Sequence, residues 1–451
     1  MSELGIIARH AGTVLIGQLA VMAFGVADTL IAGRYSPQAL AVLSLASSIY
    51  ISIYVALNGL LQSALPVWAQ LRGAGRSVEI GQSVRQALYI CAGAALIGCT
   101  GLWFPEPWLS WTDVPPALWP DVRKYLRVLA IALVPSLLFR MYSTLNQSLG
   151  YPRLVTFLQA GALLVKVPLS WALTFGIDLS LIQTEGMGVV GCAWATLGVN
   201  TFMCLTGLYL LRTQDIYHPY QLWRKLEAPQ WPALWRFLQL GVPAGLSIMV
   251  EVTSFTLMAL FIARLGAVSS ASHQIAANLA AVLYMVPLAL GIASSARTGF
   301  WLGAAQAHKA RQAAGLGIGL TILAALFGAG LLGTFRADIA QAFTTDAAVA
   351  QAATLWLGWV ALYHLADAVQ AVCAFLLRCY EITLAPLILY ATLLWGLGLY
   401  GGYRLAYHGI GPWAQRPSVD AFWMTSTVAL AIVSALFAAL VGHASRPKHK
   451  P

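Results

Sequence analysis

The feature that most limits how this chain can fold is its succession of apolar stretches. Each is about 20 residues long, enough to cross a hydrocarbon core of roughly 30 Å as a helix. They begin near Gly12, Ala41, Val84, Lys124, Leu154, Gly188, Phe237, Gln274, Ala310, Ala352, Ala385 and Ala421. Inside lipid every backbone N–H and C=O must be satisfied without water, so repeated runs of this length imply a bundle of spanning helices. The balance of residues agrees: 59% of the 451 are hydrophobic and 9% charged, with a mean hydropathy of +0.74, where a soluble domain carries about 25% charged residues. The expected fold class is all-α and polytopic, with about twelve transmembrane helices. The opening MSELGIIARHAGTVL leads into the first apolar run without a small-residue cleavage site, so that span is expected to stay as an anchor.

A net charge of +10 raises the question of nucleic acid, but the basic residues fall in alternate loops. With the amino terminus inside, the cytoplasmic segments hold Arg9, Arg72, Arg76, Arg85, Arg140, Arg153, Arg212, Arg224, Lys225, Arg236, Arg297, Lys309, Arg311, Arg378, Arg446, Lys448 and Lys450. The outer segments hold Arg34, Arg123, Lys124, Arg127, Arg264, Arg336, Arg404 and Arg416. An excess of about two to one predicts both termini in the cytoplasm and no nucleic-acid partner. The six cysteines, Cys91, Cys99, Cys192, Cys204, Cys373 and Cys379, lie in or beside apolar runs without metal-ligand spacing and are read as small apolar residues.

The most polar connection divides the chain in two. Residues 1–211 form an expected amino-terminal six-helix bundle, 212–233 a cytoplasmic linker, and 234–451 a carboxy-terminal six-helix bundle with a short basic tail. The halves echo each other at an offset of about 230 residues. WTDVPPALWPDV precedes the fourth span and FTTDAAVAQAAT the tenth, which pairs Thr112-Asp113 with Thr345-Asp346; LRGAGR answers WLGAAQ, and LGYP answers RCYE. An even number of spans per half gives both halves the same orientation, a pseudo-twofold repeat about the membrane normal.

Three acids sit within apolar runs: Asp28, Glu251 and Asp367. A carboxylate there costs several kcal/mol unless it faces a cavity or a partner. On the seventh helix Ser247, Glu251 and Ser254 make one narrow stripe, and on the tenth Tyr363, His364, Asp367 and Gln370 make another. Two such stripes predict a shared polar pocket. Two close carboxylates resist double ionisation, so the pair would hold a bound cation such as Na⁺, or a proton. The alternative is that each acid pairs with a base and merely joins helices, with Lys166, Arg140 and Arg378 as candidate partners. Pro135, Pro168, Pro243 and Pro287 lie within spans, either as tolerated kinks or as hinges. Ser47, Tyr54, Asn58 and Gln62 share a face of the second helix, readable as a cavity lining or as interhelical hydrogen bonding. The inner aromatics Tyr284, Phe255 and Tyr363 could face a ligand, and an aromatic face attracts organic cations.

The chain resembles the multidrug and toxic compound extrusion (MATE) family, in its bacterial NorM branch. The resemblance rests on GVADTLIAGRYSPQALAVLSLASSIY, PVWAQLRGAGR, GVPAGLSIMVEVTSF, HQIAANLAAVLYMVPLALGIASSARTG and YHLADAVQAVCAFLLRCYEITLAPL, in that order and spacing. It implies two six-helix bundles about a central cavity in the bacterial inner membrane, and export of cationic or amphipathic drugs in exchange for Na⁺ or H⁺ by alternating access. It further implies a chain that works as a monomer among membrane lipids, with no cofactor beyond the coupling ion. Glu251 and Asp367 match the carboxylates of the coupling-ion site, Tyr363 and Tyr284 the aromatics that flank it, and Asp28 the first-helix aspartate of the amino-terminal bundle. Asp346 matches an acidic position near the drug-binding region, and Phe255, as an inner aromatic, and Asp28 are expected as further substrate contacts. Lys166 and Ser170 depart from the pattern, since asparagine or another neutral or acidic group is expected there. That lysine either opposes an ion site at Asp28 or serves as the partner of that aspartate. A lipid-linked sugar flippase of the same superfamily would call for a basic cavity. An intramembrane enzyme would call for a nucleophile with a base, or a metal cluster; HExxH and GxSxG are absent, and His364 near Asp367 is the only suggestive pair.

Overall fold

A computed structural model describes residues 2–111, 116–179, 182–409, 415 and 417–446. Twelve helices among them are long and apolar enough to cross a membrane: α1 (Glu3–Tyr35), α2 (Pro37–Gly73), α3 (Ser77–Trp103), α4 (Pro116–Leu149), α5 (Pro152–Phe175), α6 (Val190–Thr213), α7 (Trp231–Ala263), α8 (Ala267–Gly303), α9 (Ala307–Thr334), α10 (Ala347–Cys379), α11 (Leu384–Tyr407) and α12 (Val419–Ala444). The chain is thus a multi-pass, all-helical membrane protein. Most helices start several residues before the apolar window that marks them; α1 begins at Glu3 where the window begins near Gly12. A helix does not stop where the hydrocarbon does, and its solvated turns are invisible to hydropathy.

Local chemistry sets several of the ends. Ser36 accepts the Ala39 amide at 3.0 Å and Pro37 follows as the first helical residue, which suits a position with no donor to lose. Gly150 ends α4 at φ 78, a left-handed turn that glycine enters without a Cβ clash, and Pro152 then starts α5. Between α5 and α6 the chain makes one short antiparallel pair, Gly176–Leu179 with Ile182–Glu185, where the apolar pattern gave only a connection. Ala391–Tyr400, within α11, is π-helical. Within it Gly398 O accepts the Thr425 hydroxyl from α12 at 2.8 Å. The pairing partner of Thr345-Asp346, Thr112-Asp113, lies outside the described residues, as do Arg416, Lys448 and Lys450.

By packing, the chain divides into one unit of residues 16–245 and another of 1–15 with 246–451. These borders fall inside α1 and α7 and not in the polar linker. The start of α1 joins the second unit because Glu3 accepts hydrogen bonds from Arg297 and from Trp301 Nε1, and because Ile7 and Ala11 belong to that unit's core. The first turns of α7 join the first unit. A Cβ at Gly241 would come within 2.9 Å of Leu60 O, and one at Gly245 would strike Ala56 O, so glycine lets α7 lie against α2 there.

In the 16–245 unit the central element is α4, packed by α2, α3 and α6; in the other it is α10, packed by α8, α9 and α12. Within their apolar windows α4 and α10 are 78% and 72% buried, against at most 44% for any other span. The same ordinal helix is therefore the core of each unit, as a duplicated six-helix plan requires. The linker is strapped to the first unit: Arg85 donates to Glu227 at 2.8 and 2.5 Å and to Gln221 O at 2.7 Å, Gln86 donates to Ala228 O and accepts from Gln230 N, and Tyr89 donates to Glu227 O. The half-buried Glu227 carboxyl is held below its ordinary range chiefly by the hydrogen bond from Arg85.

Candidate functional site

Glu251 lies two-thirds of the way along α7, two turns after Pro243 and between Gly245 and Phe255. Asp367 lies two-thirds of the way along α10 and is buried. The Gln370 amide, one turn after Asp367, joins them: its nitrogen donates to Asp367 Oδ1 at 2.9 Å and reaches Glu251 Oε1 at 3.4 Å. Two acids predicted to share a pocket are thus brought to one nitrogen. Among the described residues neither carboxylate forms an ion pair. Arg378 lies within electrostatic reach of Glu251, but its guanidinium stacks 4.5 Å over the Phe375 ring.

The surroundings of the pair are aromatic. Tyr284 on α8, Tyr363 on α10 and Tyr390 on α11 all lie within electrostatic reach of Glu251 and Asp367. Tyr363 meets Phe255 at 5.7 Å and Trp423 at 5.5 Å between ring centroids, both edge to face, and Phe255 meets Trp423 at 6.2 Å. A narrow cleft lined by Ser254, Phe255, Met258, Tyr363 and Trp423 opens there. Trp395 Nε1, from the π-helical part of α11, donates to Val250 O at 3.2 Å and fixes the backbone beside Glu251. Gln370, Tyr390, Trp395 and Trp423 were not singled out as site residues from the sequence. Gln370 was visible as a member of the α10 stripe, but the three aromatic contacts from α11 and α12 depend on tertiary packing that no local spacing shows.

The donor chemistry suits a monovalent cation or a proton. Two carboxylates are hard oxygen ligands of the kind that alkali ions take, and beside them Gln370 Oε1 is buried with no hydrogen-bond partner among the described residues. No cluster of three or more His, Cys, Asp or Glu occurs among the described residues. His364 makes no hydrogen bond to Asp367 among them, and its Nδ1 is buried without a partner.

The remaining expected residues lie elsewhere. Asp28 is in the 16–245 unit and bonds Lys166 and Ser170, so for this acid the partner reading of Lys166 is the one seen. Asp346 caps α10: its Oδ1 accepts from Ala348 N at 2.8 Å and Val349 N at 3.1 Å. Twenty-one residues of helix separate it from Asp367, about 30 Å along the axis, and it takes no part in the Glu251 cluster. On α2, Tyr54 stacks on Tyr50, and Asn58 Oδ1 is buried without a hydrogen-bond partner among the described residues.

A family model described as MatE matches residues 14–172 and again 243–403, two copies at the offset of about 230 residues seen in the motifs. The chain is 39% identical over 432 residues to a probable multidrug resistance protein NorM of Aromatoleum aromaticum, covering 95% of this chain and 92% of that one. It is 34% identical over 418 residues to the multidrug resistance protein PmpM of Pseudomonas aeruginosa, covering 92% and 86%. Among solved structures it resembles the eukaryotic MATE transporter AtDTX14, with a TM-score of 0.87, 16% identity and coverage of 97% and 95%. It also resembles the Vibrio cholerae MATE transporter VcmN in its bent form, with a TM-score of 0.83, 18% identity and coverage of 99% and 97%.

Proposed function

This chain belongs to the MatE family of multidrug and toxic compound extrusion transporters, and from that premise we propose how it works: as an antiporter that couples drug export to inward movement of Na⁺ or H⁺ at Glu251 and Asp367. It is a transporter of the multidrug efflux class and not an enzyme. The observation that carries the coupling proposal is the pair itself. Two acids from separate helices meet at one amide inside an apolar bundle, with no basic side chain bonded to either among the described residues.

Such a pair has a reason to exchange its occupant. Two ionised carboxylates a few ångströms apart repel, and a cation or a proton relieves the repulsion. An ion entering from outside is also driven by the membrane potential, at about 2.3 kcal/mol per charge per 100 mV. Occupancy can then bias one conformation over another, and by reciprocity the drug bound to that conformation feels the ion. Phe255, partly exposed in the cleft that buried Tyr363 and Trp423 also line, offers an aromatic face to which a cationic or amphipathic drug would be drawn. The excess of basic residues supports both termini in the cytoplasm, with the two six-helix halves joined through 212–233.

The experiment is efflux of ethidium or a fluoroquinolone from proteoliposomes under an imposed Na⁺ gradient, compared with an imposed pH gradient. One gradient should drive efflux, and Glu251→Gln and Asp367→Asn should each uncouple it. Efflux that ignores both substitutions at equal reconstitution would remove the assignment.

A further inference from the structure

Lys166 stands in the middle of α5, is 1% exposed, and faces Asp28, which is 7% exposed. Its ammonium has three donors to place. They go to Asp28 Oδ2 at 2.9 Å, Cys192 O at 3.0 Å and Thr196 Oγ1 at 2.8 Å. The second Asp28 oxygen is also 2.9 Å from Nζ and accepts from the Ser170 hydroxyl at 2.9 Å. Thr196, having accepted from the lysine, donates its own proton to Cys192 O at 2.9 Å. No polar atom of this group is left without a partner.

Four oxygens from α1 and α6 therefore converge on one point, and a positively charged nitrogen sits there. Without the aliphatic stem of Lys166, the remainder is a carboxylate, one hydroxyl and a main-chain carbonyl, a set of hard oxygens suited to an alkali cation. We propose that Lys166 is a tethered monovalent cation: its ammonium fills a cation site in the 16–245 unit and so keeps exchangeable cations out of it. The group is already neutral as one lysine and one aspartate, and a second cation beside the ammonium would add an uncompensated buried charge. Ion exchange then falls to the Glu251 pair alone. An ordinary helix-joining ion pair makes a different prediction, because no small cation would repair its loss.

The test uses the full-length protein carrying Glu251→Gln and Asp367→Asn, so that its outcome does not depend on the function proposed for that pair. Thermal unfolding midpoints are compared in sodium, ammonium and choline chloride at equal ionic strength. With Lys166 in place the three midpoints should coincide. Lys166→Ala should lower the midpoint in choline and gain a saturable rise of several degrees in sodium or ammonium, and adding Asp28→Asn should abolish that rise. Equal midpoints in all three salts for Lys166→Ala would overturn the proposal, as would a cation response already present with Lys166. If Lys166→Ala does not fold in choline, the yield of monodisperse protein after solubilisation in each salt is read instead. Recovery in sodium or ammonium supports the tethered cation, and recovery in neither overturns it.

Discussion

Replacing Glu251 by glutamine keeps the size and one oxygen of the side chain and removes a single charge, so its effect can be worked from the geometry. One Gln370 nitrogen reaches Asp367 at 2.9 Å and Glu251 at 3.4 Å, which caps the separation of those two oxygens at about 6 Å and puts a cation between them roughly 3–4 Å from each. At an effective dielectric of about 20, opposite charges 4 Å apart attract by about 4 kcal/mol, roughly three powers of ten in affinity. Part of that attraction is offset because glutamine's oxygen still ligates. Glu251→Gln should therefore raise the half-saturating concentration of the coupling ion by roughly 100- to 1,000-fold, or abolish gradient-driven efflux where that concentration is out of reach. The assay is ethidium efflux from proteoliposomes, titrated in the driving ion, with reconstituted protein matched by immunoblot. Adding Asp367→Asn should cost little more than either change alone, since residues of one site are not additive. A shift below about threefold, or a double variant whose loss is the product of the two single losses, would refute a shared site.

Lys166→Met leaves the Asp28 carboxylate buried without its partner, which costs about 3–5 kcal/mol; Asp28→Asn in the same chain should recover most of it, read as the unfolding midpoint of purified protein. Asp346→Ala removes the cap of α10 and should cost about 1 kcal/mol of stability. An efflux loss larger than the loss of folded protein would instead show that Asp346 meets the drug. Because Arg85 holds the Glu227 pKa below its ordinary value, the strap contributes fully above the unfolded glutamate pKa and is lost as pH falls through the lower, folded value. Hydrogen exchange of residues 221–230, corrected for intrinsic rates, should rise only in acid, and Arg85→Gln should raise it at neutral pH.

The helical architecture was legible because lipid makes it so. A span needs a run of about 20 apolar residues, and such runs located all twelve helices, though with late starts. The Glu251–Asp367 meeting was legible for the related reason that an acid in such a run stands out and its i, i+4, i+7 neighbours reveal which face is polar. The Trp423 and Tyr390 contacts were not, because an aromatic residue in a membrane helix carries no mark that separates a site wall from lipid-facing or core packing. Nor was the π-helical stretch of α11, where Gly398 O takes its partner, the Thr425 hydroxyl, from α12. The packing borders inside α1 and α7 escaped for a third reason: composition marks where a chain is solvated, not where its contacts change allegiance. Lys166 shows how far charge and spacing reach. They put a cation near Asp28 and left two roles open; the Asp28 bond shows the partner role, and the proposal that the ammonium fills a cation site rests on Cys192 O and Thr196 Oγ1, a carbonyl and a hydroxyl on α6. A main-chain carbonyl is present at every residue, so its service as a ligand leaves no trace in the sequence at all.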